Sequence, residues 1–213
     1  ALIELAEAST VPVSVHLDHA ESTDLCREAI ELGFTSIMYD GSKLPDAQNR
    51  ETTAEITAFA HEHGVSVEAE LGEVGGKNGV HDPSARTNPE DAAQFVADTG
   101  VDLLAVAVGS SHAMATREAV LDNQLIAAIH ELVPVPLVLH GSSGVPDDGM
   151  VAAIQAGMTK INVSTHLNVV FTQGVRQILD ENPKIVDPRK YVGPATHSVQ
   201  EEVERLMRLY AQA

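Results

Sequence analysis

Side chains able to do chemistry fall at one recurrent place in this sequence, just after short runs of Val, Ile and Leu. The first run ends in Asp18 and His19, the second in Asp40, Gly41 and Ser42, and the third carries Glu68 and Glu70. The fourth continues to His112, the fifth ends at His140, and the sixth carries Asn162, Ser164 and Thr165. His19, His112 and His140 thus come from separate runs and share one edge. Catalytic zinc commonly takes three protein ligands and keeps one position open for water or substrate, so the trio has the composition of a metal centre. A single His at such a place is more often a hydrogen-bonded structural residue. The other histidines serve as a control: His61, His63 and His130 fall in helical stretches, and His81 in a Gly-rich loop. His166 and His197 lie near the C-terminal segments and read as surface residues, whereas His16 could donate from behind the trio.

Asp18 adjoins His19, which puts a carboxylate beside the metal where it can act as general acid and base on a hydroxyl. The plainer reading is an Asp bonded to a neighbouring turn. Glu70 and Asp40 fit three roles equally well, as carboxylates orienting the ligands, as ligands themselves, or as structural anchors. In His140, Gly141, Ser142, Ser143 and Gly144 the small residues leave backbone N–H groups open to an anion. Asn162, Ser164 and Thr165 close the next run, and loops after the last two strands of a β/α barrel commonly bind phosphate.

The elements that must carry these residues are legible from punctuation. Strand candidates run over 13–17, 35–39, 65–71, 102–108, 136–139 and 159–163, separated by amphipathic stretches that stop at Gly33, Gly64, Gly100 and Gly157. Asn88, Pro89, Glu90 and Asp91 spell a helix start, and Pro146, Asp147 and Asp148 repeat it. The stretches 72–87 and 182–194 read as irregular, the first as a lid over the site. A helix is expected over 198–210. Apolar strands alternating with helices mean a parallel sheet covered on both faces, either open and doubly wound or closed as a barrel. An open sheet concentrates chemistry at one switch point, whereas here every strand carries some, which favours the barrel.

Composition bounds the partners. Thirteen basic against 31 acidic side chains give a net charge of −18, a field that repels nucleic acid and anionic membranes. A phosphorylated substrate must then be held by local devices, and the loops above supply them. No apolar run approaches the roughly 18 to 20 residues of a membrane span, and the N-terminus lacks a signal-peptide pattern. The one cysteine, Cys26, excludes an internal disulfide and fits a reducing cytoplasm.

The segments VSVHLDHAES, FTSIMYDGS, VSVEAELGEVGG, GVDLLAVAVGSSH, VPLVLHGSSGVP, TKINVST and DPRKYVGP, in this order, resemble the class II, zinc-dependent ketose-bisphosphate aldolases. The resemblance spans essentially the whole chain. It implies a TIM (β/α)8 barrel and Zn2+ held by His19, His112 and His140, with Glu70 as a secondary ligand. It also implies Asp18 as the catalytic acid/base. Gly141, Ser143, Asn162, Ser164 and Thr165 would surround the dihydroxyacetone-phosphate end, and Arg189 the second phosphate, across the interface of a homodimer or homotetramer. The implied reaction is reversible cleavage of fructose 1,6-bisphosphate, or of tagatose 1,6-bisphosphate or a phosphorylated deoxy-keto sugar acid. A catalytically weak phosphosugar-binding protein and an imine-forming aldolase using Lys160 are the competing expectations. Lys77 and Asn78 follow Gly75 and Gly76 where the family carries acids, which turns attention to His81 or Asp82 for proton exchange. Ala113 replaces the family's Gly, a change expected to alter contacts to phosphate or a monovalent cation. If the phosphate loops follow strands seven and eight, the first run here is strand three. The expectation is one catalytic barrel domain over 1–213 without its first two strands, with 182–213 a C-terminal segment and helix packed on it.

Overall fold

A computed structural model of the chain describes residues 1–71, 86–112, 114, 116–211 and 213. After a short helix α1 (Leu2–Glu7) the chain alternates strand and helix: β1 (His16–Ala20), α2 (Thr23–Glu31), β2 (Ser36–Tyr39), α3 (Asp46–Glu62), β3 (Ser66–Glu70) and α4 (Pro89–Thr99). It continues through β4 (Leu103–Ala105), α5 (Asn123–Leu132), β5 (Leu137–Leu139), α6 (Asp147–Ala156), β6 (Met158–Ile161), α7 (Thr165–Glu181) and α8 (Arg189–Tyr210). The start of α4 follows its sequence signal: Asn88 Oδ1 accepts the Asp91 N–H at 2.9 Å and Pro89 fills the first turn. Gly100 ends it in a left-handed conformation, φ 67°, with its N–H on the Val96 carbonyl.

All strand pairs are parallel, and the six strands lie side by side in chain order from β1 to β6. A doubly wound sheet reverses its order at a switch point; this one never does, which is the winding of a β/α barrel. No β1–β6 pairing is made among the described residues, so the strands form an arc of a barrel. Alternation along each strand sorts side chains into two layers. Ile37, Val67, Ala69, Leu104, Leu137 and Leu139 face the helices and pack with Ile56, Phe95, Ile126, Ile129 and Met150. Met38, Ala105 and Val138 face the barrel interior. Beside that small apolar patch the same inward parity brings in Asp40, Glu68, Glu70 and His140, which are buried.

Three elements depart most from their expected boundaries. β1 begins at His16 and includes Asp18 and His19, because the ladder to β2 starts where His16 pairs Ser36; Val13 stays exposed. The expected strand 102–108 stops at Ala105, since Ala107 exchanges its bonds with Thr87, outside the sheet. The C-terminal helix starts at Arg189, nine residues before the expected position 198. Asp187 Oδ1 accepts the Arg189 N–H at 3.1 Å and nucleates it, while Pro194 deprives only the exposed Lys190 carbonyl of a donor. Helix α8 then packs along α7 and against α6. Among the described residues no helix is long and apolar enough to cross a membrane.

Candidate active site

A cavity of about 530 Å³ opens at the C-terminal ends of the strands. It is lined by His16, Asp18 and His19 from β1, His112 beyond β4, residues 140–143 after β5, and residues 160–165 from β6 into α7. Asp18 and His19 are neighbours in a strand and would normally point to opposite faces. A β-bulge resolves the conflict. Leu17 pairs Ile37 and Ala20 pairs Tyr39, so β1 spends one residue more than β2 between these rungs. His19 absorbs the extra residue at φ 51°, the left-handed region and the only non-glycine there among the described residues. Both side chains therefore reach one cavity.

His19, His112 and His140 each place a ring nitrogen within 4.8 Å of the others. His19 Nδ1 meets Asp40 Oδ2 at 2.8 Å, and His140 Nε2 meets Glu68 Oε1 at 2.8 Å. A carboxylate can only accept, so both of those ring nitrogens carry hydrogen, and the other nitrogen of each ring is left to bind a proton or a metal. Those other nitrogens, His19 Nε2 and His140 Nδ1, face each other at 2.8 Å. That contact is satisfied by one proton held between the rings or by a metal ion bound to both, and a carboxylate behind each ring is the usual support for a metal-bound His. The donor set thus fits a zinc ion. Asp40 is itself fixed, its Oδ1 accepting Ser42 Oγ–H at 2.6 Å and Ser42 N–H at 3.2 Å. Glu70, buried, lies with Asp40 and His19 in a second group whose ligand atoms fall within 4.8 Å.

Sequence places Glu68 at a strand end without a role; the structure makes it a hub. Its Oε2 accepts Lys160 Nζ at 2.7 Å, its Oε1 serves His140, and it is fully buried. Burial pushes its carboxyl up, but the His140 hydrogen bond and the Lys160 charge outweigh this and hold it below its ordinary value. His16, whose Nδ1 meets Ser36 Oγ at 2.8 Å, is pushed down by burial and then by the Lys160 charge, so it is neutral. Two residues of spacing from Glu70 along one strand face was the available signal for Glu68.

Asp18 is half exposed at the cavity rim and accepts Asn162 Nδ2–H at 3.3 Å. Gly141, at φ 67°, lies so close to the Ser111 backbone that a Cβ would sit 2.6 Å from it. Ser142 Oγ is occupied by the Asn162 carbonyl, whereas Ser143 Oγ accepts the His166 N–H at 3.0 Å. Ser164 precedes α7 without using its side chain as a cap, and the first turn of α7 carries no acid. The positive end of that helix, with its His166 N–H on Ser143, therefore opens on the cavity with no acidic side chain in its first turn.

Arg189 is not brought to this cavity: it is 89% exposed and clamped to Asp187 at 2.8 Å. Gly75, Gly76, Lys77, Asn78, His81 and Asp82, most of the expected lid 72–87, and Ala113 lie outside the described residues. His166, expected on the surface, is instead paired with Glu202 of α8 at 2.7 Å. No local sequence pattern signals that contact, which depends on how α8 docks.

A family model described as fructose-bisphosphate aldolase class-II matches residues 1–213. The fructose-bisphosphate aldolase of Staphylococcus epidermidis is 41% identical over 201 residues, covering 93% of this chain and 70% of the relative. That of Geobacillus stearothermophilus is also 41% identical over 201 residues, with the same coverage of 93% and 70%. The crystal structure of the YdjI aldolase from Escherichia coli K12 superposes with a TM-score of 0.84 at 33% identity, covering 98% of this chain and 73% of that one.

Proposed function

The chain belongs to the class-II fructose-bisphosphate aldolase family, carbon–carbon lyases, and on that premise we propose how its cavity acts and on what. The substrate is a ketose 1,6-bisphosphate, fructose 1,6-bisphosphate first, cleaved reversibly into dihydroxyacetone phosphate and glyceraldehyde 3-phosphate. The convergence of His19, His112 and His140, with a carboxylate behind the first and the last, carries the reading. Zinc bound by these three residues would supply Lewis-acid polarisation of the ketose carbonyl. Glu70 is a secondary ligand in the same proposal.

Asp18 is the catalytic acid/base: its carboxylate takes the C4 hydroxyl proton in cleavage and returns it in condensation. Asn162 Nδ2 holds Asp18 Oδ1 and leaves the other oxygen for that proton. The backbone N–H groups around Gly141 and Ser143, with Ser164, Thr165 and the α7 N-terminus, hold the dihydroxyacetone-phosphate end, which an acidic protein could not retain by net charge. Arg189, exposed outside its own cavity, serves the second phosphate of a neighbouring copy in a homodimer or homotetramer. Lys160, at the cavity floor and engaged by Glu68, is read as the charge partner of Glu68 rather than as an imine-forming amine. Cys26, buried with its thiol pushed up to about 11 chiefly by burial, is a structural residue, consistent with a cytoplasmic enzyme.

Metal content measured alongside cleavage of fructose and tagatose bisphosphates tests the reading. His112→Ala is expected to lose zinc and turnover together, and Asp18→Ala to keep zinc and lose turnover. A fully active Asp18→Ala enzyme ends the assignment of the acid/base.

A further inference from the structure

His166 stands in the first turn of α7, directly after Thr165. Its backbone N–H ties that turn to Ser143 on the facing loop, and its ring Nε2 meets Glu202 Oε1 of α8 at 2.7 Å. Glu202 also accepts two bonds from Arg205, each at 2.8 Å. Arg205 donates to Asp147 Oδ2 at 2.6 Å, and Asp147 Oδ1 accepts Arg117 Nη2 at 2.6 Å. Arg117 closes the chain with two bonds to the Val145 carbonyl, at 3.0 and 2.8 Å. One connected ladder of charges thus runs from α7 through α8 and α6 to the loop that follows His140. Its two ends grip the two sides of the phosphate end of the cavity.

Isolated surface ion pairs contribute little, but this ladder is neither isolated nor fully exposed. The Glu202 side chain is 16% and that of His166 22% exposed. Arg205 above all, with His166, pulls the Glu202 carboxyl down to about 2 against the cost of partial burial. Each carboxylate holds two partners, so no member moves without disturbing the next.

We propose that Glu202 is a positioning residue for substrate binding. Through His166 on one side and Arg205, Asp147 and Arg117 on the other, it makes the C-terminal helix fix the spacing between the Ser143 loop and the α7 N-terminus. A phosphate clasped between those pieces needs donors at hydrogen-bond distance from both, and such bonds weaken steeply with small displacements. The inference rests on the assignment of Ser143, Ser164 and Thr165 to phosphate.

In the zinc-loaded enzyme, Glu202→Gln is expected to raise KM for fructose 1,6-bisphosphate, and Ki for inorganic phosphate, about three- to tenfold. Its kcat and zinc content should match the parent. His166→Ala should behave like Glu202→Gln, while His166→Gln, which keeps a side-chain donor for Glu202, should restore KM. Glu204→Gln, on the solvent side of α8, is the unaffected control. If the Ser164→Ala, Thr165→Ala double variant leaves Ki for phosphate unmoved, the phosphate assignment itself fails. If that double variant weakens phosphate while folded Glu202→Gln does not, or if kcat falls instead of KM rising, the positioning role is overturned. Should Glu202→Gln not fold, His166→Ala against His166→Gln decides the same point, and equal KM values reject it.

Discussion

Removing Lys160 should expose how much the buried end of the site depends on charge balance. Glu68 is fully buried, with Lys160 Nζ at 2.7 Å and His140 Nε2 at 2.8 Å as its hydrogen-bond partners. Breaking a buried pair by deleting one partner typically costs about 3–5 kcal/mol, because the survivor is left charged and unpaired. Lys160 is 30% exposed on its side chain, so water already offsets part of its contribution. A cost at or just below the lower end, about 2–3 kcal/mol, is the expectation for Lys160→Met. For a chain of this size that corresponds to a melting temperature about 5–10 °C lower. Adding Glu68→Gln removes the stranded charge, so the double variant should recover about 1–2 kcal/mol relative to the sum of the singles. Thermal and urea melts of all four proteins should be run with chelator present, so that loss of metal does not enter the comparison. Additive single costs, or a Lys160→Met cost below about 0.5 kcal/mol, would refute the idea that Lys160 balances Glu68.

Gly141→Ala should destabilise the protein by about 2–5 kcal/mol, the sum of a left-handed backbone penalty and overlap with a packed neighbour. The overlap is with the Ser111 backbone at 2.6 Å, which has no flexible end to yield, and the adjoining His140 should be displaced with it. A melting temperature equal to the parent's would contradict that close approach. Glu202 gives a pH signature. Its folded carboxyl titrates at about 2 against an ordinary 4.5, so the unfolded chain binds that proton more readily. Its stabilisation is complete above 4.5 and disappears as pH falls toward 2. Acid unfolding of the parent and of Glu202→Gln should therefore show a stability gap that is constant near neutrality and closes across that window; a gap independent of pH counts against the ladder.

The barrel winding and the cavity's makeup were legible because both follow from periodicity. Inward parity on parallel strands sends residues such as Asp40, Glu70, His140 and Asn162 to one end, and a sequence displays that parity directly. Helix docking is not periodic in this sense. The pairing of His166 with Glu202 joins residues 36 positions apart through the packing of α8 on α7, and the early start of α8 at Arg189 was hidden by Pro194, ordinarily a stop signal.

The His19 bulge shows how a local rule can fail where chemistry is assembled. Regular β1 geometry would put either Asp18 or His19 in the cavity, never both, so the roles proposed for these two neighbours require a broken ladder. Inserting one residue between the Leu17 and Ala20 rungs re-aims His19, at the cost of a left-handed φ of 51° on a residue with a Cβ. Strain of that kind is worth about 1–3 kcal/mol and persists only where the surroundings over-determine it. The surroundings here are the Asp40 carboxylate, itself held by Ser42, and the pairing of Ala20 with Tyr39 beyond the bulge. Asp40 therefore does two things at once: it orients the ring toward His140 and the cavity, and it anchors a backbone conformation the strand would otherwise relax.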